Sequence, residues 1–594
     1  MRKLKKIFAF FLTCAASLGL AFGFSACDSQ GAGNLGFGGG EESPNCEEVG
    51  HDFVVDEENS VAATCQTDGL LVEKCQRKNC ETTQETTVLA YGHTYVDGEC
   101  ACGDREYPDI AEYLKYTLNQ DGASYSVSFW ESAEEAEQAR IMDLIDFGLL
   151  YPQAEVQGVF KLPAEYEGLP VTGIAEYGFA YYSFENIKIP ETLTTIGDGA
   201  FKGCELRGIE LPNAVAEIGA SAFADCDLLE SVTLPDSLTR IEEKTFQACS
   251  RLTEIQLPQT LVWIGDYAFA GCAISNVAIP DTVTAMGNYV YNGSSVTSVT
   301  FGKGITEIPQ GGFEHCVQLL RVEFLGKVTA IGAEAFRYCE RLTGVILPET
   351  LTAIGAEAFR FCHGLTEIEI PQNVSDIGNL AFEYCQNLTR LVCTHTVKNI
   401  GNFAFSSIPV KEAKVTVKTL SVLPTKELET ITITSGTTIE DNLFNYCKNL
   451  KSVVFECDII KIGERAFEGC ESLTDIEFPA SLKTIESFAF TDSGLTEVKI
   501  TGSVTEIGEY AFAGCANLTD VTIGKEVEFI GAYAFSRCEK AVVAFENAEG
   551  WVVGGNGYDI GKTEIPATDL QASEKATAYL TETYAEFSWE RKQK

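Results

Sequence analysis

Short runs in which apolar and polar residues alternate recur along most of the chain, each with a form close to L-T-x-I-x-I-P. In the run 365–371, Ile368 and Ile370 would point to one side of an extended backbone, and Glu367 and Glu369 to the other. The alternation predicts one short β-strand per repeat, with a buried and an exposed face. The proline that closes many of these runs predicts the end of the strand.

Each run is followed by the pattern I-G-x-x-A-F-x-x-C, so that a full unit has 22 or 23 residues. The Gly predicts a bend into a short 3₁₀ or helical turn. One unit cannot bury its own Phe, Ile and Leu, so the repeat predicts a solenoid of stacked units. The aromatic position is Phe in fifteen of sixteen units, at Phe179, Phe201, Phe223, Phe246, Phe269, Tyr291, Phe313, Phe336, Phe359, Phe382, Phe405, Phe444, Phe467, Phe490, Phe512 and Phe535. A degenerate unit around LETITIT, between Phe405 and Phe444, brings the prediction to about seventeen.

The combined pattern AFxxCxxLTxIxIP resembles the BspA-like class of bacterial leucine-rich repeats over residues 155–545. The flanking segments YTLNQDGASYSV, KLPAEYEGLPVTGI and YLTETYAEFSWERK resemble the usual caps of that class. The resemblance implies an α/β repeat fold: a right-handed leucine-rich-repeat solenoid with short parallel β-strands and short 3₁₀ or helical turns. It also implies a surface protein that holds macromolecules, for which host or community adhesion is often proposed, and it implies no enzyme activity.

The N-terminus combines basic residues at 2–6 with an apolar stretch that runs to Ala26, which is typical of a signal peptide. A retained membrane-spanning helix is the alternative. The segment Phe24-Ser25-Ala26-Cys27 resembles a bacterial lipobox, although Phe24 stands where Leu is usual. This resemblance implies acylation of Cys27 and an extracytoplasmic protein tied to the membrane at the cell surface by its lipid.

Six cysteines and two histidines lie within residues 46–103. The segment is too small to be stabilised by a hydrophobic core alone, so a metal ion or disulfide bonds are expected. Four of these residues, Cys65, Cys75, Cys80 and His93, are the favoured ligands of a structural zinc ion. Disulfides among the six cysteines and free thiols are the alternatives. The segment resembles Cys-rich spacers near the surface anchors of Gram-positive proteins, which implies a stalk.

The predicted organisation follows from these boundaries: a signal peptide (1–26), a Gly-rich tether (27–45), the stalk module (46–103), an N-terminal cap with an inserted helix (104–154), the solenoid (155–545) and a C-terminal cap (546–594). The inserted helix is expected at 131–150, where it would cover the edge of the first strand.

The charge balance excludes some classes of function. With 43 Lys and Arg against 86 Asp and Glu, the chain carries a formal charge of −43, which argues against nucleic acid as a partner. Only five His are present, and the sequence has no phosphate-binding loop and no protease or esterase motif. No small-molecule substrate is evident, and no cofactor is expected beyond the possible zinc.

Cysteine also recurs at one position of the repeat: Cys204, Cys226, Cys249, Cys272, Cys316, Cys339, Cys362, Cys385, Cys447, Cys470, Cys515 and Cys538. Other units have Tyr182, Ser294, Ile408 or Ser493 there. A position that accepts Ser or Ile needs mainly a side chain that packs, so buried free thiols are predicted.

The outward positions of the strands are the predicted binding surface. Candidate residues on this surface, predicted to be concave, are Glu254, Arg321, Glu323, Glu367, Glu369, Arg390 and Glu497. Neither outward position holds an aromatic residue or a histidine, so catalysis is not expected, and Glu367 and Glu369 are interpreted as solvated carboxylates. Extracellular, host or community proteins with basic patches are the expected partners. The alternatives are an envelope spacer without a ligand and a metal-binding role of the stalk.

Overall fold

The computed structural model describes residues 161–182, 186–554 and 562–592, residues 114–129, and the backbone of a few further strands. The chain divides into two compact units, the first comprising 1–109 with 154–161 and the second 110–153 with 162–594.

The first unit contains a three-stranded antiparallel sheet, β1 (Phe53–Val55), β2 (Gly69–Cys75) and β3 (Thr83–Val88), in that order. A separate hairpin joins β4 (Tyr95–Val96) and β5 (Glu99–Cys100). Strand β8 (Val159–Lys161) also belongs to this unit.

The second unit starts with a hairpin of β6 (Lys115–Leu118) and β7 (Tyr125–Ser128). Strand β7 then pairs in parallel with β10 (Leu169–Ile174), which also forms a short hairpin with β9 (Glu165–Tyr166). From there the chain winds as a solenoid, and each turn of the winding is called a coil below.

All but one of the regular coils contribute a strand to a first strand row, whose members pair in parallel with their neighbours over most of its length; the coil of Phe467 has no strand at this position. The outward-pointing residues of this row are called the strand face. The row consists of β11 (Asn186–Lys188), β13 (Gly208–Glu210), β15 (Ser231–Thr233), β17 (Glu254–Ile255), β19 (Asn276–Ile279), β21 (Ser298–Phe301), β23 (Arg321–Phe324), β25 (Gly344–Val345), β27 (Glu367–Glu369), β29 (Arg390–Cys393), β31 (Glu412–Val415), β32 (Thr430–Ile433), β34 (Ser452–Phe455), β37 (Glu497–Ile500), β39 (Asp520–Ile523) and β41 (Val542–Phe545).

A second strand row was not predicted from the sequence. Its strands are two residues long and end on the Ile of the repeat, or on Met286 in one coil. That residue is buried in the solenoid core, except for the half-buried Ile400. They are β12 (Thr195–Ile196), β14 (Glu217–Ile218), β16 (Arg240–Ile241), β18 (Trp263–Ile264), β20 (Ala285–Met286), β22 (Glu307–Ile308), β24 (Ala330–Ile331), β26 (Ala353–Ile354), β28 (Asp376–Ile377), β30 (Asn399–Ile400), β33 (Thr438–Ile439), β35 (Lys461–Ile462), β36 (Thr484–Ile485), β38 (Glu506–Ile507) and β40 (Phe529–Ile530).

The segment from the Gly after this strand to the Cys position is called the arm. It contains the expected i→i+3 hydrogen bonds, such as the 3.1 Å bond from the Cys204 N–H to the Phe201 oxygen. Positive φ angles at Gly199 (58°) and Gly203 (67°) interrupt the turn, so the arm is a series of turns and not a continuous helix. Neighbouring arms bond to each other, as the Phe201 N–H does to the Ala222 oxygen at 2.7 Å.

The aromatic side chains of the arms form a ring stack in the core. All sixteen are buried, and neighbouring centroids are 5.6 Å apart for Phe179 and Phe201 and 4.9 Å apart for Phe444 and Phe467. The stack runs without a break from Phe179 to Phe405 and again from Phe444 to Phe535. This stack is the physical basis of the solenoid, which confirms the predicted fold class, with very little helix.

The interruption coincides with the predicted degenerate unit, which we call the short unit (residues 416–429). Here helix α1 (Val417–Leu420) stands where the other coils have their second-row strand, and a 3₁₀ helix (Thr425–Glu427) replaces the arm. Thr416 caps α1 by accepting a 3.2 Å hydrogen bond from the Thr419 N–H. Strand β32 then resumes the first row between β31 and β34.

The C-terminal end contains β42 (Trp551–Val553), β43 (Thr563–Glu564), α2 (Ala567–Leu570), α3 (Ser573–Ala578), a π-helix (Tyr579–Thr583) and β44 (Trp589–Arg591). Strand β44 pairs antiparallel with β40 and so covers the edge of the second row. The side chain of Thr577, on α3, accepts a 2.9 Å hydrogen bond from the Val543 N–H of β41. Within the described ranges, no helix has the length and apolar character needed to cross a membrane.

Candidate functional site

The strand face carries all seven residues predicted to bind a partner. Six of them are exposed, and Glu497 is half-buried. They extend from β17 to β37 and therefore do not form one cluster. A surface of this kind offers contact area and charge. Glu367 and Arg390 are brought together on adjacent strands, whereas Glu254 and Glu497 lie several coils away.

A charge ladder occupies the middle of the strand face. The guanidinium of Arg390 lies 3.0 Å from a carboxylate oxygen of Glu367 on one side and 3.4 Å from one of Glu412 on the other. Hydrogen bonds to these two carboxylates raise the pKa of Arg390 above its usual value. Glu497 is paired with Lys499 at 2.7 Å, whereas Glu323 accepts a 3.3 Å hydrogen bond from the Thr300 hydroxyl.

One apolar residue stands in the centre of this charged surface. Ile346, which follows β25, is 90% exposed, and Gly344 occupies the other outward position of the same coil. The next coils on either side present Arg321 with Glu323 and Glu367 with Glu369. The strand face thus has an uncharged centre between charged neighbours.

A cavity opens in the first row where β17 and β19 do not pair with each other. It has a volume of about 270 Å³ and is lined by Gln256, Gln259, Asn276 and Tyr291 together with apolar side chains. Tyr291 is the one tyrosine in the ring stack, and its hydroxyl extends beyond the outline of a phenyl ring. Burial raises the pKa of Tyr291. The sequence pattern did not indicate this cavity, because Tyr291 was interpreted only as a core residue.

A second surface that the sequence analysis missed lies on the arms. His315, Tyr338, Phe361 and Tyr384 occupy equivalent positions, two residues after the stacked ring, in four successive coils. Their centroids are 4.4, 4.5 and 5.1 Å apart, so they form a smaller outer stack. An alignment of the repeats at this position would have revealed it.

An ion-pair network runs beside the outer stack. Arg360 lies 3.0 Å from Glu357 and 2.7 Å from Glu383, and its guanidinium stands 4.8 Å from the centroid of Phe361. Arg337 lies 3.3 Å from Glu357, although the geometry does not make a hydrogen bond from its Nε. Burial, followed by the charge of Glu334, raises the pKa of the neighbouring Glu314.

The histidines of the solenoid take structural roles. His363 contacts the Tyr384 backbone oxygen at 2.9 Å through Nδ1, and His395 contacts the Val374 oxygen at 2.7 Å through Nε2. His315 stacks on Tyr338. These contacts do not place a histidine beside a serine or cysteine nucleophile.

The twelve repeat cysteines are free, and all are buried. Most of their thiols donate to the backbone oxygen of the stacked aromatic residue one coil earlier, as Cys226 does to Phe201 at 3.0 Å. Ser294 makes the equivalent bond to Phe269 at 2.6 Å. Most units therefore place a donor as well as a packed side chain at this position, which the sequence analysis did not predict, although Ile408 fills it without a donor. Burial raises the pKa of the Cys226 thiol to about 12.

Among the described residues, no three His, Cys, Asp or Glu side chains come together in a way that could hold a metal ion. The predicted lipidation residue Cys27 and the predicted zinc ligands Cys65, Cys80 and His93 lie outside the described part of the chain, as does the predicted helix at 131–150. Cys75 ends strand β2, of which the structure describes only the backbone.

Comparison with protein families gives six copies of the BspA type leucine-rich repeat region, over residues 172–297, 284–412 and 421–542. The chain belongs to this family. The matched ranges stop and restart at the short unit, so the part of the chain where the BspA-type pattern lapses is also the part where α1 replaces a strand.

Solved structures similar to this BspA-type chain include bacterial leucine-rich repeat proteins. One from Bacteroides ovatus is 22% identical, with 74% of this chain and 100% of that chain covered and a TM-score of 0.42. A leucine-rich cell surface protein from Faecalibacterium prausnitzii is 19% identical, with coverage of 79% and 97% and a TM-score of 0.27. A leucine-rich repeat protein from T. pallidum is 24% identical, with coverage of 40% and 90% and a TM-score of 0.27. No curated protein matches the chain.

Proposed function

We propose that this BspA-type protein is a non-catalytic, lipid-anchored protein of the cell surface that binds other proteins through its strand face. The observation that carries the proposal is Ile346, 90% exposed in the middle of that face, with charged residues on the adjoining coils. Protein interfaces are commonly built in this way, with an apolar centre that loses its water and a polar rim that sets specificity.

The charge ladder supports the same function. Arg390 is already paired on both sides with Glu367 and Glu412, so these residues hold their geometry before a partner arrives. The chain as a whole carries −43, which favours partners with a basic contact surface. Binding should therefore weaken as salt is added.

The test compares capture by the mature wild-type chain with capture by an Ile346→Asp variant. Soluble extracellular matrix proteins, mucin and surface proteins of neighbouring cells would be offered at about 0.15 M salt, where surface charges are screened beyond roughly 8 Å. We expect a partner retained by the wild type and lost by Ile346→Asp. Ile460→Asp is the matched control, since Ile460 is also an exposed isoleucine but directly precedes β35 in the second strand row. Failure of the wild type to retain any of these proteins would favour the spacer function.

The membrane anchor is proposed from the sequence around Cys27. A Cys27→Ala variant should lose acylation and appear in the soluble fraction, whereas the wild type should partition with membranes and label with a palmitate analogue. Wild-type protein that stays soluble would contradict the anchor.

A structural zinc ion held by Cys65, Cys75, Cys80 and His93 is proposed to stabilise the fold of the first unit. Purified wild-type protein should contain one equivalent of zinc. The His93→Ala variant should lose the zinc, and its first unit should become sensitive to protease. Disulfides detected by mass spectrometry among these cysteines would contradict it.

A further inference from the structure

The segment of residues 398–427, which includes most of the short unit, carries a positive charge that is unusual for this chain. Residues 398–427 contain five lysines and two glutamates, a net charge of +3, in a chain whose total is −43. Two of the lysines are neutralised locally, because Lys411 lies 3.4 Å from Glu429 and Lys414 lies 3.0 Å from Glu456.

The remaining three lysines are exposed and, within the described residues, have no carboxylate at ion-pair distance. Lys418 instead donates to the backbone oxygen of Lys398, which brings these two residues together. Lys426 donates to the backbone oxygen of Asn445, in the arm of the following coil. Glu427 is the one exposed carboxylate of the short unit itself.

Two exposed aromatic side chains lie in the arms that precede and follow the short unit. Phe403, in the arm before the short unit, is 70% exposed, and Tyr446, in the arm after it, is 53% exposed. Neither ring has an equivalent ring beside it: on the side of the short unit a 3₁₀ helix replaces the arm, and on the other side Leu380 and Gly469 occupy the equivalent positions. The lysines Lys398, Lys418 and Lys426 with Phe403 and Tyr446 are called the basic patch.

We propose that the basic patch binds an acidic polysaccharide, a chain of sugar rings that carry carboxylate or sulfate groups. The C–H faces of sugar rings pack against exposed aromatic faces, and anionic substituents on the same rings pair with lysine ammonium groups. Lysine acts as a mobile point charge, which suits anionic groups at variable positions along a polymer. The patch acts locally despite the total charge, because charges beyond about 8 Å are largely screened at physiological salt.

An acidic protein segment is the competing partner. Its carboxylates would pair with the three lysine ammonium groups, but they would not pack against the rings of Phe403 and Tyr446. The acidic polysaccharide accounts for both the charges and the rings. The patch lies at the short unit and not on the strand face around Ile346, so its test is independent of the proposed protein binding.

Affinity chromatography and calorimetry with heparin, on the whole mature protein at 0.1 to 0.5 M salt, test the proposal. The wild type should bind heparin, and the triple variant Lys398→Gln, Lys418→Gln, Lys426→Gln should bind at least about tenfold more weakly, with a salt slope reduced by roughly one per lysine. Phe403→Asn should weaken binding severalfold without changing that slope. Asn442 occupies the same repeat position with a φ of 60°, so asparagine is compatible with the backbone there.

Lys327→Gln is the matched control, because Lys327 is exposed and lies outside the patch. It should bind heparin as the wild type does. Equal binding of poly-L-glutamate and heparin would assign the patch to acidic protein segments and overturn the proposal. Wild-type protein that does not bind heparin, or a triple variant that binds it undiminished, would also overturn it.

Discussion

The thiol of Cys362 donates a hydrogen bond of 3.1 Å to the backbone oxygen of Phe336, one coil earlier in the solenoid. The same relationship links most of the repeat cysteines to the ring stack, so each of these thiols ties its coil to the one before it. Since both residues are fully buried, no water can replace the bond.

Substitution of Cys362 separates the role of the hydrogen bond from that of packing. Cys362→Ala should lower the free energy of unfolding by about 1–2 kcal/mol, because the Phe336 oxygen loses the thiol donor, keeping only its bond from the Cys339 N–H, and a small cavity opens. Cys362→Ser should cost less, since Ser294 already makes the equivalent bond. Urea denaturation followed by circular dichroism measures both. A serine variant less stable than the alanine variant would show that the position needs only an apolar side chain.

The buried thiols should make stability fall at alkaline pH. Burial raises the pKa of Cys226, Cys316 and Cys385 to about 12 in the folded protein, whereas unfolded cysteine ionises near 8.5. The folded state therefore keeps protons that the unfolded state loses, so this contribution is fully present below about pH 8.5 and declines as the pH rises toward 12. Thermal denaturation from pH 7 to pH 10.5 measures the decline. A melting temperature that stays constant over this range would contradict the shifts.

Accessible thiols should be confined to a few positions in the solenoid. Cys457 is half-buried, while the repeat cysteines are buried, so iodoacetamide at pH 8 should alkylate Cys457 long before any of the twelve. Peptide mapping by mass spectrometry identifies the modified residues. Rapid modification of Cys339 or Cys362 in the native protein would contradict the burial of the thiols.

The glycine after the second-row strand should be essential where coils approach closely. A Cβ on Gly265 would lie 2.5 Å from the backbone nitrogen of Glu243, so Gly265→Ala should destabilise the protein by about 2 kcal/mol or more. Gly344→Ala is the control, because a Cβ there meets nothing within 4 Å. Its effect on the unfolding midpoint should be small, and equal effects of the two substitutions would contradict the close approach.

The hydroxyl of Tyr291 should contribute little to the solenoid. Its ring packs 5.2 Å from Phe269 and 5.1 Å from Phe313, contacts that a phenylalanine would keep. Tyr291→Phe should therefore retain or raise the melting temperature, because it keeps these ring contacts and removes only a hydroxyl from a residue that lines the cavity between β17 and β19. A marked loss of stability would show that the hydroxyl has a structural role.

The sequence predicted the features that depend on periodicity, and missed those that depend on contacts between coils. The aromatic and Ile positions, the outward residues such as Glu367 and the degenerate unit follow from the repeat and appear in the fold. The second-row strands escaped prediction because two residues show no alternation. The bond from Cys362 to Phe336 and the outer stack of His315 on Tyr338 join residues 23 or more positions apart, and only the register of stacked coils brings them together.

The short unit divides the ring stack into a longer N-terminal and a shorter C-terminal series. In repeat proteins each coil touches only its neighbours, so cooperativity passes along the chain through successive interfaces. Where Phe405 and Phe444 fail to stack, that coupling is carried by the paired strands β31, β32 and β34 and by contacts of the short unit, such as the bond from Lys426 to Asn445. Under denaturant or mechanical force the solenoid should therefore unfold in two steps, and residues 430–592 should unfold as one cooperative unit.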